Sequence, residues 1–155
     1  FEEVKGRPLY VVGRKIGFTN TTIWELYGVD APMWAHMWDH TVEHAASATA
    51  RVDLGGVLEP RIEPEVVMKL RGPVPTSGTT VDVLESVEWI APGFEIVQSV
   101  FPGWRFQLPD CTAAFGLHGR LVVGPDLGAP GALVVLAANA AWGIAAAAWL
   151  RETGS

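Results

Sequence analysis

Two glutamates stand two positions apart in the segment Pro60-Arg61-Ile62-Glu63-Pro64-Glu65, where their type and spacing suggest chemistry. Side chains at positions i and i+2 of a β-strand project from one face, so Glu63 and Glu65 would lie side by side and repel each other. Apolar residues follow them directly, and a hard divalent cation would supply the missing positive charge while taking oxygen ligands. The alternative is that both glutamates face water. Pro64 lacks an amide hydrogen and predicts an edge or an interruption of this strand.

A third carboxylate, Glu95, lies within the apolar segment Gly93-Phe94-Glu95-Ile96-Val97. A single charge in such a strand is costly to bury without a partner. Three carboxylates in apolar strands therefore indicate a shared site more strongly than the Glu-x-Glu pair does alone.

Lys15 is a charged residue in an apolar strand with a glycine on each side, in the segment Val11-Val12-Gly13-Arg14-Lys15-Ile16-Gly17. Glycine lets backbone or a ligand approach closely. A buried lysine near anionic oxygens can act as an acid, a base or a positive clamp. The alternative is a lysine whose stem lies along the strand while its ammonium group reaches solvent.

Hydrophobic periodicity predicts an α+β domain that is rich in β-strands. Predicted strands cover residues 9–18, 33–42, 48–54, 58–70, 94–101, 121–123 and 132–136. Predicted helices cover residues 19–27, ending at Gly28, residues 81–91, and an alanine-rich segment that ends near Arg151. Prolines and glycines predict turns or loops at residues 29–32, 71–80 and 102–103. A chain of 155 residues suits one domain, residues 1–155.

The composition argues against several partners. Acidic residues outnumber basic residues by 17 to 11 and no basic cluster is present, so we expect no nucleic-acid partner. Residues 127–150 carry no charge, but their alanines and glycines with Pro130 and Asn139 favour a strand and a helix over a membrane span. The single Cys111 and the lack of any signal-peptide pattern favour the cytoplasm. The many tryptophans and apolar residues favour a homo-oligomer.

The segment His40-Thr41-Val42-Glu43-His44 matches the H-x-x-E-H pattern of some zinc proteases, and His36 extends the four-residue spacing. That chemistry requires a helix that directs both histidines at one metal ion. Thr41 and Val42 favour a strand or a turn, so a zinc site is not expected here.

Four segments together resemble the 2-keto-4-pentenoate hydratase family of the fumarylacetoacetate hydrolase superfamily. They follow the family's order and approximate spacing between about Tyr10 and Gly124: Gly13-Arg14-Lys15-Ile16-Gly17-Phe18-Thr19-Asn20, Tyr27-Gly28-Val29, Pro60-Arg61-Ile62-Glu63-Pro64-Glu65 and Gly93-Phe94-Glu95-Ile96-Val97. As a set, these segments are more specific for the superfamily than for one reaction.

The resemblance implies a twisted β-roll with a few short helices, in which Glu63, Glu65 and Glu95 bind Mg²⁺ or Mn²⁺. It also implies that Lys15 is the catalytic lysine and makes Asp39 a candidate for an acid that faces the substrate.

Three further residues are expected to bind substrate. Most of the seven tryptophans should be core or interface residues, but Trp34 and Trp38 flank Asp39 and are our candidates for substrate contact. Gln98 is the third, because family members carry an acidic residue soon after the third glutamate, where this chain has Gln98-Ser99.

The implied activity is that of a lyase that adds water to a small 2-hydroxydienoate or 2-oxo-enoate acid through a metal-chelated enolate. Decarboxylation of a 2-oxo acid and hydrolysis of an acylpyruvate C–C bond stay open, because the same chelate serves all three reactions. A non-catalytic scaffold or partner subunit is the alternative outside enzymes.

Two departures from the family bear on these alternatives. Small residues are usual in the family where this chain has Phe115-Gly116-Leu117-His118. The family's N-terminal helical region and its C-terminal strand with a glycine-rich turn are not found, so we expect the chain to represent only part of a family member.

Overall fold

The computed structural model of the protein describes residues 9–74, 76–128 and 146–149. Within these residues, the chain forms seven strands and three short α-helices. The strands are β1 (Val11–Gly17), β2 (Met33–Trp38), β3 (Val42–His44), β4 (Arg61–Leu70), β5 (Val87–Val97), β6 (His118–Val123) and β7 (Ala146–Trp149); the helices are α1 (Trp24–Tyr27), α2 (Thr80–Glu85) and α3 (Leu108–Ala113).

All seven strands belong to one mixed sheet with the order β2-β1-β7-β4-β5-β6-β3. The pairs β1 with β2, β1 with β7, β4 with β5, and β5 with β6 are antiparallel. The pairs β4 with β7 and β3 with β6 are parallel. The predicted β-rich α+β class is therefore confirmed.

The sheet curls strongly, as side chains from distant strands that share one core show. Met37 of β2 packs in a buried cluster with Val67 of β4, Ala91 of β5, and Leu121 and Val123 of β6. Five strand spacings separate β2 from β6 in the sheet order, which is about 24 Å in a flat sheet. Only a sheet that rolls up brings these side chains together, as the resemblance to a β-roll implied.

Local sequence signals set the helix ends that were predicted correctly. The first predicted helix is a 3₁₀ turn, Thr21–Ile23, that continues into α1 and ends at Gly28 with φ 61° and ψ 41°, a left-handed conformation that glycine adopts without strain. Helix α2 begins with a capping box, in which Thr79 and Asp82 bond each other's backbone N–H groups.

The predicted helix at residues 81–91 is wrong beyond Glu85. From Val87 onwards the chain forms β5, which pairs with β4 along ten positions from Leu70 to Arg61. The apolar residues at 83, 84, 87 and 90 fit a helical stripe, but residues 87–91 are mainly β-branched or aromatic and gain more from pairing with a buried strand. Strand β5 therefore starts before the predicted strand 94–101 and ends at Val97.

Other predicted boundaries also differ from the structure. The predicted strand 48–54 is not a strand, and residues 45–60 run as an irregular connection. Strand β2 ends at Trp38, where a 3₁₀ turn, Asp39–Thr41, leads into β3. Helix α3 was not predicted, although Pro109 and the capping pair of Gln107 and Asp110 favour a helix start there.

The uncharged segment at residues 127–150 lies mostly outside the described residues, including the predicted strand 132–136. Its described part, Ala146–Trp149, is a strand between β1 and β4 and not the predicted helix. In the part of the chain that the structure describes, no helix is long and apolar enough to cross a membrane. Within the described residues, β7 pairs with β4 from Val66 to Lys69, and Pro64 lies outside that stretch, as expected for a residue that lacks an amide hydrogen.

Gly93 should be intolerant of a side chain. A Cβ atom there would lie 2.8 Å from the Val67 Cγ2 atom and 3.1 Å from the Val122 carbonyl oxygen. We predict that Gly93→Ala lowers the free energy of unfolding by about 1–3 kcal/mol, because β4 and β6 must move apart. The control is Gly72→Ala, where a Cβ would meet no atom within 4 Å. Urea denaturation followed by tryptophan fluorescence measures both, and equal effects would contradict the close approach of the strands.

Candidate metal centre

Three carboxylates converge on the inner face of the sheet. Glu63 of β4 pairs directly with Glu95 of β5, and Glu65 follows two positions along β4, opposite Gly93. One carboxylate oxygen from each glutamate lies within 4.8 Å of the other two. Glu95 is 1% exposed and Glu65 is 5% exposed, whereas Glu63 is open to solvent. The convergence predicted from the sequence is therefore confirmed, and the cluster has one side that a ligand can reach.

Lys15 supplies the nearest positive charge. Its Nζ atom lies 2.8 Å from Oε1 and 2.7 Å from Oε2 of Glu95, and it donates a third hydrogen bond of 3.0 Å to the Gly116 carbonyl oxygen. Lys15 is only 5% exposed, so the alternative of a lysine whose ammonium reaches solvent is wrong. The three hydrogens of the ammonium group match these three acceptors.

A strained turn directs the Gly116 carbonyl group at Lys15. Phe115, Gly116 and Leu117 all have positive φ values, of 52°, 65° and 58°. This conformation is sterically unfavourable for Phe115 and Leu117, and it persists only where the surrounding structure enforces it. A Cβ at Gly116 would lie 3.2 Å from Cδ of Lys15, so the turn also requires glycine for space.

His118, at the start of β6, holds Glu95 from the other side. Its Nδ1 atom lies 2.6 Å from Glu95 Oε1, and its Nε2 atom lies 2.8 Å from Thr41 Oγ1. Thr41 donates its own hydroxyl hydrogen to the Trp38 carbonyl oxygen, so its oxygen accepts from Nε2. Glu95 accepts from Lys15 as a carboxylate, so Nδ1 also donates. These two hydrogen bonds hold the His118 ring between Glu95 and Thr41.

The two buried glutamates differ in charge because their partners differ. Burial would raise the pKa of Glu95, but Lys15 and His118 outweigh it and hold that pKa below its usual value. Burial would lower the pKa of Lys15, and Glu95 outweighs it in turn, so Lys15 is firmly protonated. Glu65 forms no ion pair with a described residue: burial, and after it the charge of Glu95, outweighs the opposing effect of Lys15 and raises the pKa of Glu65 to about 9. Desolvation also raises the pKa of Glu63.

The carboxylate of Glu65 is the group that most needs a further ligand. Its Oε2 atom is buried and has no hydrogen-bond partner among the described residues. A buried polar atom without a partner is uncommon and usually points to an ion or a water molecule. Oxygen ligands from three carboxylates are the donor set that Mg²⁺, Mn²⁺ and Ca²⁺ prefer, so the cluster fits a hard divalent cation.

The other residues predicted to act on a substrate do not lie in the carboxylate cluster. Trp34 pairs with Ile16 and alternates with Ala35, the partner of Lys15, so its ring lies on the other face of β2, where Arg14 packs 4.8 Å from the ring centroid. Trp38 contacts the Phe115 ring at 5.9 Å between centroids, which brings it near the strained turn.

Asp39 and Gln98 lie just outside the strands, in the 3₁₀ turn after β2 and directly after β5. Asp39 begins the 3₁₀ turn that carries Thr41, and its side chain is 12% exposed and lies 3.7 Å from His40 Nδ1. The amide oxygen of Gln98 accepts a hydrogen bond of 3.4 Å from the Leu58 N–H group, which ties the end of β5 to the irregular connection.

The H-x-x-E-H segment does not form a metal site in the described part of the chain. Its residues lie in a 3₁₀ turn and in β3, not in a helix. His40 is exposed and faces Asp39, and Glu43 lies 3.9 Å from Arg120. The prediction of a turn or a strand for this segment, and not of a helix, agrees with the structure.

Helix α3 brings one further group to the cluster. Cys111 is buried, and burial raises its pKa to about 11, with smaller effects from Lys15, Glu63 and Glu95. The thiol is therefore neutral near pH 7 and is a weak nucleophile.

Sequence reasoning missed the roles of His118, Gly116 and Thr41. Phe115-Gly116-Leu117-His118 stood out only as a departure from the family pattern. The one local signal is that His118 lies three residues before the apolar segment Leu121-Val122-Val123, in a predicted strand region where a buried histidine needs partners. Thr41 carries no local signal, because its contact spans 77 residues of sequence.

Removal of Lys15 should strongly destabilise the fold. We predict that Lys15→Met lowers the free energy of unfolding by about 3–5 kcal/mol, because Glu95 keeps its burial and loses its main counter-charge. Lys69→Met is the matched control, since Lys69 forms a 2.6 Å ion pair with Glu88 that is partly exposed. We expect about 0–1 kcal/mol there. Urea denaturation at pH 7 tests both, and a small effect at Lys15 would mean that Glu95 is not charged in the folded protein.

Comparisons with known proteins agree with this site. The chain is 32% identical over 129 residues to a 2-hydroxyhexa-2,4-dienoate hydratase of Comamonas testosteroni, covering 83% of this chain and 48% of the hydratase. It is 32% identical over 114 residues to a 4-oxalocrotonate decarboxylase of a Pseudomonas species, covering 73% of this chain and 43% of the decarboxylase. The chain thus spans about half the length of the curated relatives it matches. No protein-family model matches the chain.

Among solved structures, the fold is similar to that of 4-oxalocrotonate decarboxylase from Pseudomonas putida G7, complexed with magnesium and adipate. The TM-score is 0.68 at 22% identity, over 76% of this chain and 44% of the decarboxylase. At this identity the similarity supports the fold, while the curated relatives carry the family assignment. Over the residues that align, the chain belongs to the fumarylacetoacetate hydrolase superfamily, in the branch of the 2-keto-4-pentenoate hydratases and oxalocrotonate decarboxylases.

Proposed function

We propose that this chain is the metal-binding core of a divalent-metal-dependent lyase that adds water to a small 2-hydroxydienoate or 2-oxo-enoate acid. The observation that carries the proposal is the convergence of Glu63, Glu65 and Glu95 within 4.8 Å, with one open side. Relatives named as hydratases of such acids support it, at about 30% identity. Because the chain spans about half of these relatives, the activity of the whole protein is part of the proposal.

The cation that we propose is Mg²⁺ or Mn²⁺, held by Glu63, Glu65 and Glu95. A structural neighbour is complexed with magnesium and another with calcium, which supports a hard cation in this fold. A cation held there would supply a Lewis acid for the carboxylate and the C2 oxygen of a 2-oxo acid. Glu63 is the ligand nearest to solvent, so the substrate would enter past it.

Lys15 would serve as a proton donor and a positive clamp. Its pKa lies above the usual value, so it holds its proton and is a poor base near pH 7. Its three hydrogens are directed at Glu95 and Gly116, and it can donate to a substrate only by exchanging one of these bonds. Gly116 is the weaker of the two acceptors, because its carbonyl oxygen is neutral.

Asp39 remains our candidate for the second proton-transfer group. It lies in the same 3₁₀ turn as Thr41, which contacts His118, so it stands at the edge of the cluster. Trp38, directly before it, is the tryptophan that we propose for substrate contact, since it packs against Phe115. Trp34 is exposed and packs against Arg14, and Gln98 accepts from the Leu58 N–H group, so both are weaker candidates.

Two alternatives keep specific support. Decarboxylation of a 2-oxo acid is favoured by the similarity to 4-oxalocrotonate decarboxylases, and an acylpyruvate C–C hydrolase would use the same three glutamates. A scaffold or partner subunit without turnover would follow if the cluster bound no cation.

We further propose a small-molecule 2-oxo acid as the partner, a homo-oligomeric assembly and a cytoplasmic location.

Cation binding should release a proton from Glu65. Its pKa of about 9 means that it is protonated near pH 7, whereas a metal ligand must be ionised. We predict that Mg²⁺ or Mn²⁺ binds with loss of about one proton, and that the affinity falls about tenfold for each pH unit below 9. Glu65→Gln should abolish the proton release and weaken binding by at least about tenfold.

Calorimetric titration in two buffers with different enthalpies of protonation measures both the affinity and the number of protons. The control is Glu88→Gln, because Glu88 is a partly exposed carboxylate that pairs with Lys69 and lies outside the cluster. Binding without proton release would show that Glu65 is ionised before the cation arrives. No binding to the unmodified protein would remove the metal site and leave the scaffold.

The reaction itself is decided by product analysis. We expect the protein with Mg²⁺ to remove the dienol absorbance of a 2-hydroxydienoate and to form a hydroxy-oxo acid, with Glu63→Gln reduced by at least about 100-fold because it loses a ligand to the Lewis acid. Release of carbon dioxide would instead identify a decarboxylase. Pyruvate with a free acid would identify a C–C hydrolase. No product from any of these substrate classes would contradict the enzyme proposal.

A further inference from the structure

Glu95 has a limited number of positions left for a cation. A carboxylate accepts about four hydrogen bonds or ligands, two at each oxygen. Oε1 already accepts from Lys15 at 2.8 Å and from His118 at 2.6 Å. Among the described residues, Oε2 accepts only from Lys15, at 2.7 Å. One position on Oε2 is therefore the place where Glu95 can take a further ligand without losing a hydrogen bond.

The bond from His118 to Oε1 is fixed at both ends of the imidazole ring. The ring is 2% exposed, so it has no room to turn towards solvent. Thr41 accepts from Nε2, and the Thr41 hydroxyl is itself oriented by the bond that it donates to the Trp38 carbonyl oxygen. The series of hydrogen bonds from Trp38 through Thr41 and His118 therefore holds the Glu95 carboxylate at one rotation about its Cγ–Cδ bond.

This restriction bears on the choice of cation. Mg²⁺ requires near-octahedral geometry at 2.0–2.1 Å and is bound by single carboxylate oxygens. Ca²⁺ accepts six to eight ligands at longer distances and often takes both oxygens of one carboxylate. Because Oε1 of Glu95 already accepts two hydrogen bonds, Glu95 can offer a cation only Oε2. A single carboxylate oxygen suits Mg²⁺ better than Ca²⁺.

We propose that His118 is a positioning residue that blocks Oε1 of Glu95, limits this glutamate to one ligand oxygen, and so favours Mg²⁺ or Mn²⁺ over Ca²⁺. This inference rests on the cation site of the proposed function and goes beyond it, because it concerns selectivity between cations.

The experiment compares Mg²⁺ and Ca²⁺ affinities by calorimetric titration of the unmodified protein and three variants. His118→Leu removes the donor and keeps a similar volume. His118→Asn places an amide N–H close to the position of Nδ1, and so keeps a donor for Oε1 without the imidazole. Thr41→Val removes the acceptor for Nε2 and leaves Nδ1 in place. Thermal unfolding of each variant without metal separates loss of folding from loss of selectivity.

We expect His118→Leu to weaken Mg²⁺ binding by about 10–100-fold, as loss of partners behind metal ligands commonly does. Ca²⁺ binding should change much less, so the ratio of the two affinities shifts towards Ca²⁺ by about tenfold or more. His118→Asn should recover most of the ratio, and Thr41→Val should give an intermediate shift. A variant that only loosens the fold would weaken both ions alike and leave the ratio unchanged.

An unchanged ratio in a folded His118→Leu protein would overturn the inference and leave the cation site intact. If His118→Leu does not fold, the ratio in Thr41→Val decides, and an unchanged value there overturns the inference. Failure of the unmodified protein to bind either ion would overturn both the inference and the proposed cation site. These results differ from one another, so the two proposals can fail separately.

Discussion

The structure depends on keeping one carboxylate, that of Glu95, charged in the interior of the sheet. At 1% exposure this group has almost no contact with solvent, and an ionised carboxylate in that position needs both charge and hydrogen bonds from the protein. Lys15 and His118 supply them from opposite ends of the sheet order, at 2.6–2.8 Å. Each of these partners has its own support, in Gly116 for Lys15 and in Thr41 for His118.

The same requirement explains the curl of the sheet. Lys15 on β1 and Glu95 on β5 are three strand spacings apart, about 14 Å in a flat sheet, yet their charged atoms are in contact. The apolar cluster around Met37 and Leu121 closes the roll in the same direction. Packing and charge therefore act together, and the strained turn at residues 115–117 adds the Gly116 carbonyl oxygen as an acceptor for Lys15.

Much of the site was predictable because its signals are local. Charged residues within apolar strands at Lys15, Glu65 and Glu95 indicate buried charges wherever the strands lie, and the order of the motifs supplied the family. The register that places Glu63 opposite Glu95 was not predictable, because pairing of β4 with β5 depends on residues 87–91, which also fit a helical stripe. The partners of Glu95 that lie far away in sequence, such as His118, depend on the curl and leave no periodic signal.

The faces of individual strands were equally hard to assign. Trp34 and Trp38 looked equivalent beside Asp39, and alternation along β2 places both on the face opposite Ala35, the partner of Lys15. They differ in their neighbours, since Trp34 is exposed, whereas Trp38 at the end of the strand packs against Phe115. A prediction of face requires knowing which alternate set is buried, and hydrophobicity does not distinguish Met33, Ala35 and Met37 from the tryptophans that alternate with them.

The charges of the cluster also account for the kind of ligand it would accept. Glu65 is neutral near pH 7 at its pKa of about 9. Addition of a divalent cation with loss of the Glu65 proton would therefore raise the net charge of the cluster by about +1, because two positive charges arrive and one leaves. A neutral molecule would not offset that gain, whereas one carboxylate would. The gain in charge would therefore favour a small monoanionic acid as the ligand that binds with the cation, independently of the names of the relatives, and it arises because burial beside Glu95 keeps Glu65 protonated until the cation binds.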